Sequence, residues 1–397
     1  LYLFTGQYPY SQYVECFLED EINYLSNAFE KIVIIPTRGA TTMRAIPDNC
    51  EVKKPVFRSI FFFLLKGLFN KRTFTALLKD FFHYKVYLSL PKFFVWVKGT
   101  LVINNLLNSE VIQKIEESLD ENDVCYYYWG KWSNLLALFF KTKCHHVSRF
   151  HGAWDLWEEE FDNYAPLRKE LVEKLDKSVL ISRKGEIFFN EKYPFAKTSF
   201  NPLGSADYGL QKQKLDNKVK IVSCSTVYPL KRVDLIFQSI LLFSETNNRI
   251  IEWTHIGGGP SFKNLQDLVA SNSHNRLDVT LLGNLSHNEV IEHYKNNSYD
   301  TFVNLSTNEG VPVSIMEAIS FGIPVLATAV GGTPEIVTNK SGILVSSNPT
   351  PEEVANALSQ LLATSTQPRD FWEANYCAAK NYGSFSHLLK NISLNGK

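Results

Sequence analysis

The chain has 397 residues, 45% hydrophobic, 21% charged and 13% aromatic, and its 41 basic residues balance 41 acidic ones. That apolar fraction supports large buried cores and excludes wholesale disorder, and the length predicts two or three domains. A neutral chain lacks the positive footprint of a dedicated nucleic-acid binder, so no nucleic-acid partner is expected.

Cysteines at 16, 50, 125, 144, 224 and 377 have no CxxC spacing, and none is flanked by histidines closely enough to read as a zinc site. They read as buried thiols of a reducing compartment, which makes the cytoplasm the expected location. No apolar run reaches the roughly eighteen residues of a spanning helix. The chain opens at Leu1, with a few residues expected before it, and passes at once into a strand that leaves no room for a signal peptide in the part given.

In chain order, Glu19 to Phe29 reads as a helix and Ile32 to Pro36 (IVIIP) as a buried strand. Further strands are predicted at Lys220 to Ser225, Ile251 to Ile256, Leu277 to Leu282, Thr301 to Leu305 and Pro324 to Thr328, with helices at Val233 to Phe243, Phe262 to Ser271 and Asn288 to Lys295. Such alternation implies parallel sheets covered by helices on both faces, an α/β fold. It recurs on either side of a polar break near Asn201 to Asp216, which predicts two Rossmann-like halves.

Lys53 to Lys98 departs from the alternation, with ten Lys or Arg and a single acid, Asp80, interleaved with aromatic and aliphatic residues. It is either a helical insertion packed on the first domain or a basic amphipathic surface that meets anionic lipid.

The richest stretch is Asn308 to Val337, NEGVPVSIMEAISFGIPVLATAVGGTPEIV. A strand ends in polar residues, Gly310 and Pro312 fix a turn, and a helix runs from Val313 to Phe321, closed by Gly322. Open α/β sheets bind ligands at the carboxyl ends of their strands, and a helix starting there offers N–H groups to an anion. Glu309 precedes this helix and Glu317 lies within it. Each carboxylate is suited to accept both hydroxyls of a vicinal diol, so the pair suits a ligand built as diol, phosphate, diol. A nucleotide sugar has that layout.

The stretch closely resembles the signature of the retaining GT-B enzymes of glycosyltransferase family 4, the group 1 glycosyltransferases. Cys224 to Ile236 (CSTVYPLKRVDLI) resembles the first strand–turn–helix of that family's donor domain, and His255 to Pro260 (HIGGGP) its glycine loop beside the nucleotide. Phe4 to Ile22 resembles the opening strand, substrate loop and helix of the cell-surface polysaccharide enzymes, although Ser11, Gln12 and Tyr13 stand where the loop usually carries glycines. Val147 to Leu156 (VSRFHGAWDL) matches the strand end whose histidine faces the transferred sugar.

The resemblance implies two Rossmann-like domains facing each other across a cleft: residues 1–205 for the acceptor, 206–376 for the nucleotide-sugar donor, and 377–397 as a helix crossing back to the first. It implies hexosyl transfer with retention from a UDP- or GDP-sugar to a saccharide hydroxyl, on a lipid-linked acceptor in cell-surface polysaccharide synthesis (O-antigen, capsule or exopolysaccharide). Lys231 and Arg232 would stabilise the leaving diphosphate with the helix start at Gly310, Val311, Pro312 and Val313, Thr226 standing where many relatives carry an arginine. Glu309 would hold the donor sugar, Glu317 the ribose, and Gly258, Gly259, Gly283 and Asn284 would line the nucleotide. His151 would bond the transferred sugar, with Arg149 two residues earlier on the same strand face, and Tyr10 and Ser11 on the acceptor side. No DxD motif stands at a strand end, so neither a catalytic metal nor another cofactor is expected. A peripheral position on the inner membrane face follows if Lys53 to Lys98 meets lipid.

Two other readings remain open at this level: another GT-B nucleotide-sugar enzyme such as an epimerase, and a non-catalytic binding subunit of the same fold. Loss of Glu309 or Lys231 would have supported the binding subunit, and both are present.

Overall fold

In the computed structural model, which describes residues 1–10, 14–15, 17–57, 67–156, 163–272 and 274–394, the β-branched runs become two all-parallel sheets. The first contains β1 (Tyr2–Thr5), β2 (Ile32–Pro36), β3 (Cys50–Val52), β4 (Val124–Tyr127), β5 (His145–Phe150), β6 (Lys177–Leu180) and β7 (Thr198–Phe200), ordered β3-β2-β1-β4-β5-β6-β7. The second contains β8 (Val219–Cys224), β9 (Ile251–Ile256), β10 (Leu277–Gly283), β11 (Thr301–Asn304), β12 (Val325–Thr328) and β13 (Gly342–Val345), ordered β10-β9-β8-β11-β12-β13. Strands β2 and β9 have the expected bounds, and β8, β10, β11 and β12 differ from expectation by one residue. Every residue of β2 is buried, as expected of a parallel strand covered on both faces.

The chain divides into two compact units, Leu1–Pro202 with Tyr382–Lys397, and Leu203–Asn381. The first break falls three residues before the expected 205/206 boundary because Ser205 is tied to the end of the second unit. Its backbone exchanges hydrogen bonds with Tyr376 and Ala378, and its hydroxyl accepts from Trp372 Nε1 at 2.8 Å. The C-terminal helix Ala378–Leu394 belongs to the first unit from Tyr382 onward. Tyr382, Phe385 and Leu389 recur at helical spacing and are all fully buried, with Phe385 edge-on to Tyr126 at 5.1 Å.

In each sheet the strand order reverses at one place, between β1 and β4 and between β8 and β11. Crevices for ligands form at the carboxyl ends of strands at such a point. The loop after β8 carries Lys231, and the loop after β11 carries Glu309.

The basic insertion is described from Gly67 onward; residues 58–66 lie outside the described residues. It folds into helices Phe74–His83 and Leu90–Leu107. Leu77, Val86 and Val95 are buried against the unit, whereas Phe69, Phe82, Leu88, Leu90 and Phe94 are each at least 60% exposed. The insertion therefore packs one face on the unit, as the first of the two readings expects, and leaves its other face open. The single acid, Asp80, is buried, where it accepts from Tyr164 Oη and from Leu167 N (3.0 Å).

Burial pushes the Asp80 carboxyl up to about 6, against partial relief from Tyr164 and Leu167. Its folded pKa thus exceeds the unfolded value of 3.8, so the folded state binds the proton more tightly between the two. Stability from this group is greatest below about pH 4 and is lost as pH rises through about 6. Urea titrations at pH 4, 5, 6 and 7 are expected to register a decline of up to about 3 kcal/mol from this source. Asp80→Asn, which cannot ionise, should flatten that decline; an unchanged profile would refute the assignment.

Candidate functional site

The second unit assembles its candidate residues at the carboxyl ends of β8 to β11. After β8 the chain makes a 3₁₀ turn, Pro229–Lys231, and Arg232 adopts a left-handed conformation (φ 47°, ψ 44°) that turns it into the helix Val233–Thr246. Thr307 N donates to Leu230 O at 2.8 Å and so ties this turn to the loop after β11. There Lys231 Nζ is ion-paired with Glu309 Oε1, both side chains being mostly buried. Asn304, the last residue of β11, lies 3.5 Å from the same carboxylate oxygen through Nδ2. The sequence reading brought Lys231 and Glu309 to one ligand; the structure makes them partners of each other.

Arg232 has a different role from the one expected. Its guanidinium donates to Leu305 O (2.6 Å), Ser306 O (3.1 Å), Ser347 O (2.9 Å) and Asn348 Oδ1 (3.1 Å). In this arrangement it braces the loop against the ends of β11 and β13, and the cation presented at the turn is Lys231.

The helix Val313–Ser320 begins after Pro312. The N–H groups of its first turn have no intrahelical acceptor, which makes its start a place for an anion. The backbone leading into it is held by two glycines the sequence reading left without a role. Gly331 has φ 52°, and a Cβ there would stand 1.7 Å from Glu309 O. Gly332 N donates to Gly310 O at 2.8 Å. Bare backbone is needed at this contact because it packs directly on the segment that carries Glu309.

Glu317, inside the helix, is buried, and its Oε1 lies 2.9 Å from His287 Nε2. His287 opens the helix His287–Asn296, whose start is fixed by a capping box between Ser286 and Glu289. The S-x-x-E pattern was legible in the sequence and would have set His287 just after Gly283 and Asn284. Asn284 Oδ1 in turn accepts from Gly258 N at 2.7 Å, and Gly257 N donates to Gly283 O at 2.8 Å. The glycine loop and the Gly283–Asn284 turn are thus one structure, with Gly259 (φ 151°) packed against Val227 O. His255, which precedes the loop, is a core residue: its Nδ1 lies 2.8 Å from Ser223 Oγ, and burial pushes the imidazole down to about 4.

In the first unit His151 follows the end of β5. Its backbone N–H donates to the Asp155 carboxylate (3.0 and 3.1 Å), and its Nδ1 lies 3.4 Å from Asp155 Oδ2. The ring is walled by Trp129 (4.5 Å) and Tyr128 (4.7 Å), and Nε2 is buried without a partner among the described residues. An oriented imidazole with one nitrogen unsatisfied is poised for a hydroxyl.

Arg149 is not an acceptor contact. It is fully buried, pairs with Glu21 Oε2 at 2.6 Å and Asn201 Oδ1 at 3.1 Å, and lies over the Phe385 ring at 3.9 Å. Because β5 lies inside the sheet with both faces covered, the expected ligand-facing side of the strand is core. Tyr10 is half-buried after β1 and bridges to Met43; Ser11 lies outside the described residues. The loop's organiser is Glu15, which the sequence reading missed. Its carboxylate accepts from Gly6 N (2.8 Å), Gln7 N (2.7 Å), Tyr8 N (2.6 Å) and Trp129 Nε1.

Residues 210–376 match the model of the family Glycosyl transferases group 1. Over 176 residues the chain is 27% identical to the GtfA subunit of the UDP-N-acetylglucosamine–peptide N-acetylglucosaminyltransferase of Streptococcus agalactiae, covering 43% of this chain and 33% of that one. The chain thus spans about a third of the length of this curated relative. Its structure is similar to sucrose-phosphate synthase from Thermosynechococcus elongatus, with a TM-score of 0.72, 14% identity and 99% of each chain covered. It is also similar to HepE from Anabaena in complex with UDP and glucose, with a TM-score of 0.65, 16% identity and 98% of each chain covered. At these identities the likeness establishes the fold. The matched segment, which contains Lys231, Glu309 and Glu317, is thus similar to the donor half of the group 1 glycosyltransferases, and the two parallel-sheet units have the GT-B fold.

Proposed function

We propose that the chain transfers a sugar, with retention at the anomeric carbon, from a nucleotide diphosphate sugar to a hydroxyl of a saccharide acceptor. The observation that carries this reading is the Lys231–Glu309 pair at the point where the second sheet reverses order, beside the start of helix Val313–Ser320. An ammonium and a helix start are suited to a diphosphate, and the carboxylate to sugar hydroxyls. As the diphosphate leaves, Lys231 stabilises its charge, and a phosphate oxygen on the same sugar face takes the acceptor's proton. Glu317 with His287 serves the ribose, and in the first unit the Nε2 of His151, without a partner among the described residues, is suited to a sugar hydroxyl.

A UDP-sugar is the favoured donor over a GDP-sugar, because the GtfA relative is named for UDP-N-acetylglucosamine and HepE was solved with UDP and glucose. The acceptor we infer is a lipid-linked saccharide of cell-surface polysaccharide synthesis, met at the inner face of the cytoplasmic membrane. Among the described residues no helix is long and apolar enough to cross a membrane. The support for a peripheral contact is the open face of the basic insertion, where Phe69, Phe82, Leu88 and Phe94 stand among exposed Lys71, Lys79 and Lys85.

The test is a panel of UDP- and GDP-sugars, with nucleotide diphosphate release followed with and without a detergent-solubilised lipid-linked acceptor. Release is expected from one donor, stimulated by the acceptor, with the protein co-sedimenting with anionic but not zwitterionic vesicles. A folded sample that binds no nucleotide sugar would remove the enzyme reading and leave a binding subunit; vesicle indifference would remove the membrane contact alone.

A further inference from the structure

Away from the donor and sugar-binding residues, at the amino-terminal ends of β4 and β5, the first unit gathers two thiols and an imidazole. Strand pairing sets Cys125 opposite His146, and Cys144 stands two residues before His146, on the same side of the extended chain. Cys125 Sγ and Cys144 Sγ are 3.9 Å apart, Cys144 Sγ and His146 Nε2 are 3.6 Å apart, and all three donor atoms lie within 4.8 Å of one another. His145 faces the other way, toward Asp176 at 3.6 Å.

These separations have a ready physical meaning. A tetrahedral zinc ion holds sulfur at about 2.3 Å and nitrogen at about 2.0–2.1 Å, so two bound sulfurs stand about 3.8 Å apart and a sulfur and a nitrogen about 3.5 Å apart. The two measured edges match those values. A second observation is independent of the sulfurs. His146 Nδ1 lies 3.2 Å from Tyr127 Oη, and the two rings are stacked (interplanar angle 19°). With Nδ1–H donating to the phenol, the Nε2 lone pair is turned toward the thiols, which is the orienting contact that metal-bound histidines characteristically make.

We propose that Cys125, Cys144 and His146 form a zinc site that clamps β4 to β5, with solvent completing the fourth position beside the half-buried Cys144. The site lies at the opposite end of β5 from His151 and in the other unit from Lys231 and Glu309. It is a structural clamp and takes no part in sugar transfer. This corrects the expectation that no cysteine stands near enough to histidines for a zinc site: Cys144 is followed directly by His145 and His146, and the ligand that the linear sequence does not reveal is Cys125, on the neighbouring strand nineteen residues earlier.

The full chain, purified under reducing conditions and stripped with chelator, is dialysed against Zn²⁺ and the bound metal counted. One zinc per chain is expected, and X-ray absorption should register two sulfurs and two light atoms, the imidazole nitrogen and the solvent oxygen, in its first shell. Tyr127→Phe should weaken zinc binding by about 10- to 100-fold, and Cys144→Ser or His146→Gln by more than that. If the ligand variants fail to fold, absorption on the unmodified chain still decides. No stoichiometric zinc, a first shell of oxygen and nitrogen only, a Cys125–Cys144 disulfide persisting with zinc present, or folded variants that keep full affinity would each overturn the proposal. Nucleotide-sugar binding by the stripped protein is expected to be unchanged; its loss on stripping would overturn the purely structural role.

Discussion

Replacing Lys231 with alanine is expected to lower kcat/KM for sugar transfer by about 100- to 1,000-fold, the range typical of removing one group that stabilises developing charge in an acyl or phosphoryl site. The lysine side chain is 21% exposed and sits on a turn held by the backbone hydrogen bond to Tyr228 and by the brace of Arg232, so the fold does not depend on it. If the lysine acts on the leaving diphosphate, the loss falls mainly on kcat. If it only retains the donor, KM carries the loss and kcat is preserved. Glu309→Gln keeps the shape of the partner and removes its charge, so it should lower activity as well and leave thermal unfolding close to that of the parent. Steady-state kinetics with the donor found in the screen separates these cases. Activity within threefold of the parent for Lys231→Ala would disprove the role.

The largest effect on stability is expected at Arg149→Met. Arg149 and Glu21 are both 0% exposed and joined at 2.6 Å, and Tyr126 Oη adds a hydrogen bond to Glu21 at 2.9 Å. Removing the cation leaves a carboxylate buried with one neutral donor, a loss of about 3–5 kcal/mol for comparable buried pairs. Removing both charges together, as Arg149→Met with Glu21→Leu, should recover most of that, because two apolar side chains need no partner. Denaturant midpoints of the single and double variants check both statements. A single variant as stable as the parent, or a double variant no better than the single, would contradict the account.

The sheets were legible because parallel strands covered on both faces are written as continuous apolar runs, of which IVIIP is the clearest, whereas IEWTHI was readable from its alternating β-branched and aromatic residues. The short edge strands β3 and β7 are half-buried, carry no such run, and went unread. For the site, sequence identified which loops matter but not what each side chain touches. Alternation along β5 put Arg149 on a face without revealing that the face is covered by the C-terminal helix through Phe385, more than two hundred residues later. Arg232 next to Lys231 read as a second cation, and only the ends of β11 and β13 reveal that its donors are already engaged. Glu15 carried no signal in the sequence, because the three backbone N–H groups that converge on it are brought there by the fold.

The contact between Lys231 and Glu309 makes the donor site self-neutralising in the absence of ligand. Under the proposed function, a free sugar carries no charge with which to replace the carboxylate beside the ammonium, so it meets a closed pair. A diphosphate does carry that charge, and as it takes over the lysine it releases the glutamate to the hydroxyls of the attached sugar. Phosphate and sugar are then recognised by a single exchange of partners, and the site answers only to a molecule that presents both.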